Sequence, residues 1–440
     1  MKEALAQNWP EVTAATDGSE NALYAKVTGR LLPLLFICYL AAYLDRVNVG
    51  FAKLQMLSDL HYSETVYGLG AGIFFLGYVI FEVPSNIIMH RVGARLWIAR
   101  IMFSWAILSA LNAFVTTPIS FYILRFLLGA AEAGFIPGIL LYLTYWWPAG
   151  RRGRITALFL AAIPVSGIIG GPFSGLLLQL MSGIQGLHGW QWLFLVEAIP
   201  SVILGIVIVF YLPSGINSAK WLAESEKSVL RANIEREDAG KTGHGSIGAA
   251  LKSGHVWLLS AIYFGIALGI YVLSFWLPTL IKQTGVTQPA DIGMLTAIPY
   301  VFAIIAMYFV SRSADRRGER RWHTILPCLV CAFGLAFSAF FGQSTIGALI
   351  GLCFAAMGAS AAQAAFWSLP AAFLGGAAAA AGIALINSVG NVAGFVSTGL
   401  VGFLSDLTHS TNASMYFFAV ILVLSAMSIL LVPAHLVNKK

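Results

Sequence analysis

Twelve apolar runs, each close to the roughly 20 residues that an α-helix needs to cross a bilayer, divide the 440 residues of this chain. They lie near 31–51, 67–89, 97–115, 119–147, 155–181, 191–212, 255–281, 291–311, 323–342, 346–373, 380–404 and 413–433. In hydrocarbon every backbone polar group must be satisfied within the chain, so runs of this length predict helices. The fold class is therefore an all-α integral membrane protein. With 58% hydrophobic and 10% charged residues, the composition is far from that of a soluble domain. The net charge of +7 calls for no nucleic acid, because the basic residues sit in loops between the runs.

Those basic residues set an orientation. Arg46 and Arg125 fall inside runs, and Lys53 and Lys282 in loops 1–2 and 7–8. The remaining Lys and Arg lie in or beside the termini and the even-to-odd loops. An excess of Lys and Arg marks cytoplasmic loops, which predicts cytoplasmic termini for a multi-pass protein of the cell inner (plasma) membrane. The first 30 residues are polar and lack the apolar core of a signal peptide. They read as a tail (1–30) ahead of one six-helix half (31–212). A polar linker (213–254), a second half (255–433) and a short tail (434–440) follow. A monomer is expected.

Two runs carry charges where lipid would be costly. Arg125 and Glu132 lie within FYILRFLLGAAEAGFIPGILLYLTYWW, and Asp45 and Arg46 lie in the first run. A charge at bilayer depth costs about 2.5–3.5 kcal/mol on insertion scales, so such residues face a polar interior. Arg125 and Glu132 are seven apart and project from one helix face. Asp45 and Arg46, as neighbours, point about 100° apart and serve different partners. We expect the four to share a water-filled cavity that binds an anion and a proton; the bland alternative is a quartet of ion pairs that only fixes packing. Protonating both acids leaves two guanidiniums, which suit a carboxylate through a bidentate fork. Bound anion in turn favours the protonated acids, and such coupling is reciprocal.

The halves carry a faint repeat. NIIMHRVGAR after the second run and SRSADRRGER after the eighth each place Arg, Gly and Arg two residues apart: Arg91, Gly93, Arg95 and Arg316, Gly318, Arg320. A Gly between helices suits a tight turn. The paired loops resemble the signature loop of the major facilitator superfamily, with departures at Asn86, His90 and Ser311, while Asp315 keeps the acid. YLDRVNVGFA, FEVPSN, RFLLGAAEAGFIPG and FWSLPAAFLGGAAAAAGIALINSVGN are similar to the anion:cation symporter family, whose members take up organic acid anions. The resemblance runs from about Leu31 to the C-terminus, most closely in the first four spans. It implies two pseudo-symmetric six-helix halves, the major facilitator fold.

The resemblance also implies roles. Asp45 and Glu132 match the family's proton-carrying acids, Arg46 its ligand for the substrate carboxylate, and Arg125 the arginine that pairs with the acids. Tyr78, Trp367 and Asn387 match other residues lining its site. Tyr43, Gln363 and Asn391 are polar groups at suitable depth that join them as candidates. Sugar-acid members carry a polar side chain in mid-span 5, where this chain has ALFLAAIPVSG around Ile163. That favours an aromatic or less hydroxylated carboxylate.

Other residues have plainer readings. Glu82 precedes Pro84 and Glu197 precedes Pro200; each is either a proton relay or a partner for backbone groups that the proline frees. Gly167, Gly171 and Gly175 permit close helix approach, in a run also seen in drug/proton antiporters. Cys38, Cys328, Cys331 and Cys353 lie in apolar runs as small hydrophobes. His61, His188, His255 and His409 show no metal-ligand spacing. No cofactor or metal is expected. The function that follows is proton-coupled uptake of an organic carboxylate by alternating access, with no enzyme activity. A proton-coupled exporter of the same superfamily is the alternative, and a non-transporting receptor a more distant third.

Overall fold

A computed structural model describes residues 17–239, 252–373 and 376–438. The tail before residue 17, residues 240–251 of the linker and the last two residues lie outside it. Among the described residues there are helices and no strands, and twelve spans are long and apolar enough to cross a membrane. In chain order the helices are α1 (Asp17–Leu60), α2 (Glu64–Val92), α3 (Ala94–Leu111), α4 (Pro118–Glu132), α5 (Phe135–Thr144), α6 (Ala149–Leu160), α7 (Ala162–Leu180), α8 (Gly189–Tyr211), α9 (Glu224–Ala239), α10 (Gly254–Lys282), α11 (Pro289–Arg317), α12 (Trp322–Phe340), α13 (Thr345–Phe366), α14 (Pro370–Phe373), α15 (Gly376–Thr408), α16 (Asn412–Ile429) and α17 (Ala434–Val437).

The span count agrees with the apolar runs, and one span proves to be broken. The fourth run is α4 followed by α5, parted where Gly134 takes a left-handed φ of +87°. The fifth, α6 and α7, runs on through Ala161, which keeps helical dihedrals and donates to the Ala157 carbonyl at 3.1 Å. The signature-loop glycines do turn the chain. Gly93 has φ +94° and Gly318 φ +62°, both in the region that disfavours a side chain. Outside the membrane, Glu319 of the second such loop sits below its ordinary value. Burial works against the charge, but the Trp322 and His323 N–H groups, the His323 ring and Asn438 outweigh it.

The two halves meet in a pseudo-symmetric way. The second span of each half packs on the fifth span of the other, α2 on α15 and α7 on α11. The first spans, α1 and α10, also touch. Glycine makes both crossings close. A Cβ on Gly171 would fall 2.7 Å from the Gly293 carbonyl oxygen, and one on Gly402 would fall 2.3 Å from that of Glu64. The run from Gly167 to Gly175 is thus a packing device.

The bundle end remote from the described chain ends is tied across the halves by polar contacts. Asp406 of α15 accepts the N–H groups of Glu64 (3.0 Å) and Thr65 (2.8 Å), capping α2 from the other half. Lys53 lies within α1 rather than in a loop. It pairs with Glu64 at 2.5 Å, and its Nζ sits 3.7 Å from the centre of the Trp276 ring. Lys282 donates to the Leu54 carbonyl at 2.9 Å, and Tyr67 to that of Phe275 at 2.8 Å.

Candidate functional site

Glu132 is the last residue of α4, held where the helix stops. The stop is local. Ala133 leaves helical φ/ψ, and Gly134 continues in a conformation open mainly to glycine. A Cβ at Gly134 would also meet the Ser85 hydroxyl at 2.3 Å. Arg46 reaches Glu132 from α1, its Nε donating to Oε1 at 3.0 Å and its Nη2 binding the same oxygen. Both side chains are buried, Arg46 at 5% exposure and Glu132 at 3%. Aromatic rings close around the pair. The Arg46 guanidinium lies 5.2 Å from the Tyr78 ring centre, 5.3 Å from Phe74 and 6.0 Å from Tyr43.

Three expectations need correction. First, Arg125 does not pair with the acids. It is wholly buried, its guanidinium makes no hydrogen bond, and it lies 5.1 Å from the centre of the Phe74 ring. It makes no direct bond to Glu132, a carboxylate that Arg46 already holds. Both cations lie near the Phe74 ring, at 5.3 Å and 5.1 Å from its centre. Second, Asp45 makes its hydrogen bonds to neither Arg46 nor Glu132. Its Oδ1 accepts from Ser109 (3.0 Å) on α3, and its Oδ2 from Trp105 (3.1 Å) on α3 and Ser201 (2.7 Å) on α8. Third, the pair is closed in rather than facing open water.

The other candidates stand opposite, mostly on the second half. Tyr271 of α10 donates to Asn391 Oδ1 at 2.9 Å. Gln363 of α13 donates to the Tyr263 hydroxyl at 3.4 Å, and the Trp367 ring lies 4.8 Å from that of Tyr263. Asn387 of α15 donates to Glu82 of α2 at 3.2 Å. Tyr43 of α1 bonds Ser274 of α10 at 2.9 Å. Both line a cavity of about 20 Å³, room for one water. Phe75 of α2 lies 4.5 Å from Tyr271, ring centre to ring centre. Of the predicted residues, Tyr43 and Asn387 thus make hydrogen bonds across the seam between the halves.

Sequence reasoning missed Tyr263, Tyr271 and Ser274 of α10. The signal was present as hydroxyls in an otherwise apolar span, Tyr271 and Ser274 three apart on one face. It also missed Trp105, Ser109 and Ser201, which read as ordinary span residues. Glu197 binds the Ser174 hydroxyl at 2.6 Å, a side-chain partner in place of the backbone groups expected beside a proline.

A broken membrane span that presents a buried ion pair to the seam between two helical halves defines a multi-pass membrane transporter. The model of the Major Facilitator Superfamily matches residues 35–398, and the chain belongs to that superfamily. Its relatives include the "Putative metabolite transport protein NicT" of Pseudomonas putida, 51% identical over 98% of this chain and 99% of the relative. A "Putative tartrate transporter" of Agrobacterium vitis is 49% identical over 93% of this chain and 91% of the relative. The "Quinolone resistance transporter" of Acinetobacter baumannii is 42% identical over 96% and 97%. Among solved structures, a bacterial homologue of the human lysosomal transporter Spinster matches with a TM-score of 0.73 at 16% identity. It covers 97% of this chain and 100% of its own, a likeness of fold alone. The relatives named for metabolite and tartrate transport agree with the resemblance to organic-anion symporters and are transporters, not enzymes.

Proposed function

We propose that the chain is a proton-coupled symporter that takes up an organic carboxylate, aromatic or hydroxy-dicarboxylic, by alternating access. One observation carries this reading: Glu132 occupies the edge of Arg46, through Nε and Nη2, that a substrate carboxylate would use. While Glu132 is ionised it competes with the substrate. Once protonated it releases the guanidinium, and an anion takes its place. Proton and substrate then favour each other's binding, by the same factor in each direction.

Tyr78, Tyr43, Trp367, Gln363, Asn387 and Asn391 line the route of the anion between the halves, residues 31–212 and 255–433, and Arg125 adds positive potential behind Phe74. Asp45 is the second proton carrier, held by Trp105, Ser109 and Ser201. Both termini are cytoplasmic, the membrane is the inner (plasma) membrane, and the working unit is a monomer. The relative named for tartrate supports a carboxylate cargo. The relative named for quinolone resistance favours a second reading, proton-coupled export.

Transport in liposomes separates the two. For the symporter, an acidic exterior drives accumulation of labelled carboxylate inside, and an uncoupler abolishes it. For the exporter, the same gradient drives no carboxylate accumulation, and acid-loaded vesicles take up quinolone as protons leave.

A further inference from the structure

Glu82 belongs to none of the pairs that the proposed cycle uses. It lies on α2 four residues beyond Tyr78, hence on the same helix face. The residue is 8% exposed. Its Oε1 accepts from Asn387 across the seam at 3.2 Å, while its Oε2 has no hydrogen-bond partner. Neither oxygen of this carboxyl bonds a backbone group near Pro84: Oε1 goes to Asn387 and Oε2 is unpartnered. One oxygen is clamped and its twin is left bare in a membrane-embedded site, an arrangement that is costly unless something else meets it.

We propose that Glu82 is the specificity residue of the binding site, reading a hydroxyl on the substrate a short distance from the carboxylate held by Arg46. The cargo is then a small hydroxy-carboxylate. This rests on the Arg46 reading above and narrows it.

The geometry and the chemistry agree. Tyr78 touches Arg46 through its ring, and one helical turn, roughly 6 Å of rise, separates it from Glu82. A single ring or a four-carbon chain spans such a gap. A hydroxyl donates to a carboxylate and accepts from a carboxylic acid, so it matches Oε2 in either protonation state. A methylene or ring C–H at that point would leave the oxygen orphaned. The apolar middle of the fifth span then needs no hydroxyl reader. Ile163 there packs on the core, and recognition comes from α2 instead.

The test uses the full-length protein purified in lipid nanodiscs and two pairs of probes: malate against succinate, and para-hydroxybenzoate against benzoate. Affinities are measured by calorimetry for wild type, Glu82→Ala, Glu82→Gln and Asn387→Ala. In at least one pair, wild type should bind the hydroxylated member roughly tenfold tighter or more, the size expected for a hydrogen bond to a charged group. Glu82→Ala should bring the pair within about twofold by weakening only the hydroxylated member. Glu82→Gln, which keeps shape and fold, should narrow the preference, and Asn387→Ala should narrow it less. A wild type without hydroxyl preference, or a Glu82→Ala protein that weakens both members equally, overturns the proposal. In either case the organic-anion reading stands. Wild type that binds none of the four acids removes both.

Discussion

Asp45 and Arg46 are adjacent in sequence and take different partners. Asp45 turns into packing within one half, where an indole and two hydroxyls satisfy it. Arg46 turns to the seam, where its one hydrogen-bonded partner is a carboxylate and the rest of its shell is aromatic. The first arrangement holds a carboxyl group by three neutral donors of the same half. The second sets a cation against an anion that another anion can replace. Neutral donors make a group stable; a replaceable counter-ion makes it exchangeable. A buried ion pair is in any case a poor device for stability alone.

The comparison breaks most visibly at Arg46. Arg46→Ala leaves Glu132 buried without its cation and the substrate without its fork. Carboxylate affinity should fall by roughly a hundredfold, about 3 kcal/mol, as read by calorimetry. Arg46→Lys, a point charge without the planar edge, should recover only part of it.

Glu132→Gln comes next. Glutamine cannot release Arg46 in response to a proton, so gradient-driven accumulation in liposomes should vanish while counterflow of labelled against unlabelled substrate persists. A Glu132→Gln protein that concentrates substrate as wild type does would remove Glu132 from coupling.

Asp45→Asn sharpens the contrast. If the two sets of partners act separately, substrate affinity should stay within about threefold of wild type, while accumulation under an acid exterior drops severalfold. A loss of affinity matching that of Arg46→Ala would mean the two residues act on one chamber after all.

Much of this was legible in the sequence. The span count followed from apolar length, and the turns at Gly93 and Gly318 from the need for a residue without Cβ. The divergence of Asp45 from Arg46 followed from the 100° step of a helix. What was not legible depended on neighbouring helices. Nothing in the apolar run around Glu132 announced that α4 would end there, because Gly134 is one of many glycines in the chain. The partners of Asp45 come from α3 and α8, whose rotation is set by packing between helices. The seven-residue phase of Arg125 and Glu132 says nothing about which of the two Arg46 bonds, or about Phe74 lying near both cations. The cross-half bond from Glu82 to Asn387 joins residues about 300 positions apart, beyond any local pattern.

The smallest effects are single hydroxyl deletions, one beside each residue. Ser201→Ala removes the 2.7 Å bond to Asp45 but leaves Trp105 and Ser109 in place. It should cost about 1 kcal/mol of stability, seen as a slightly lower Tm, with the transport KM unchanged. Tyr43→Phe removes the bond to Ser274, whose hydroxyl still reaches the Ile270 carbonyl at 2.9 Å. Little stability is therefore lost. Tyr43 also sits beside Arg46 and bridges the halves, so the effect should appear as a change of about threefold in KM with Tm nearly constant. The two deletions should cross over, one moving Tm and the other KM. If Ser201→Ala moves KM and Tyr43→Phe moves Tm, the division between a static and an exchangeable set of partners is drawn in the wrong place.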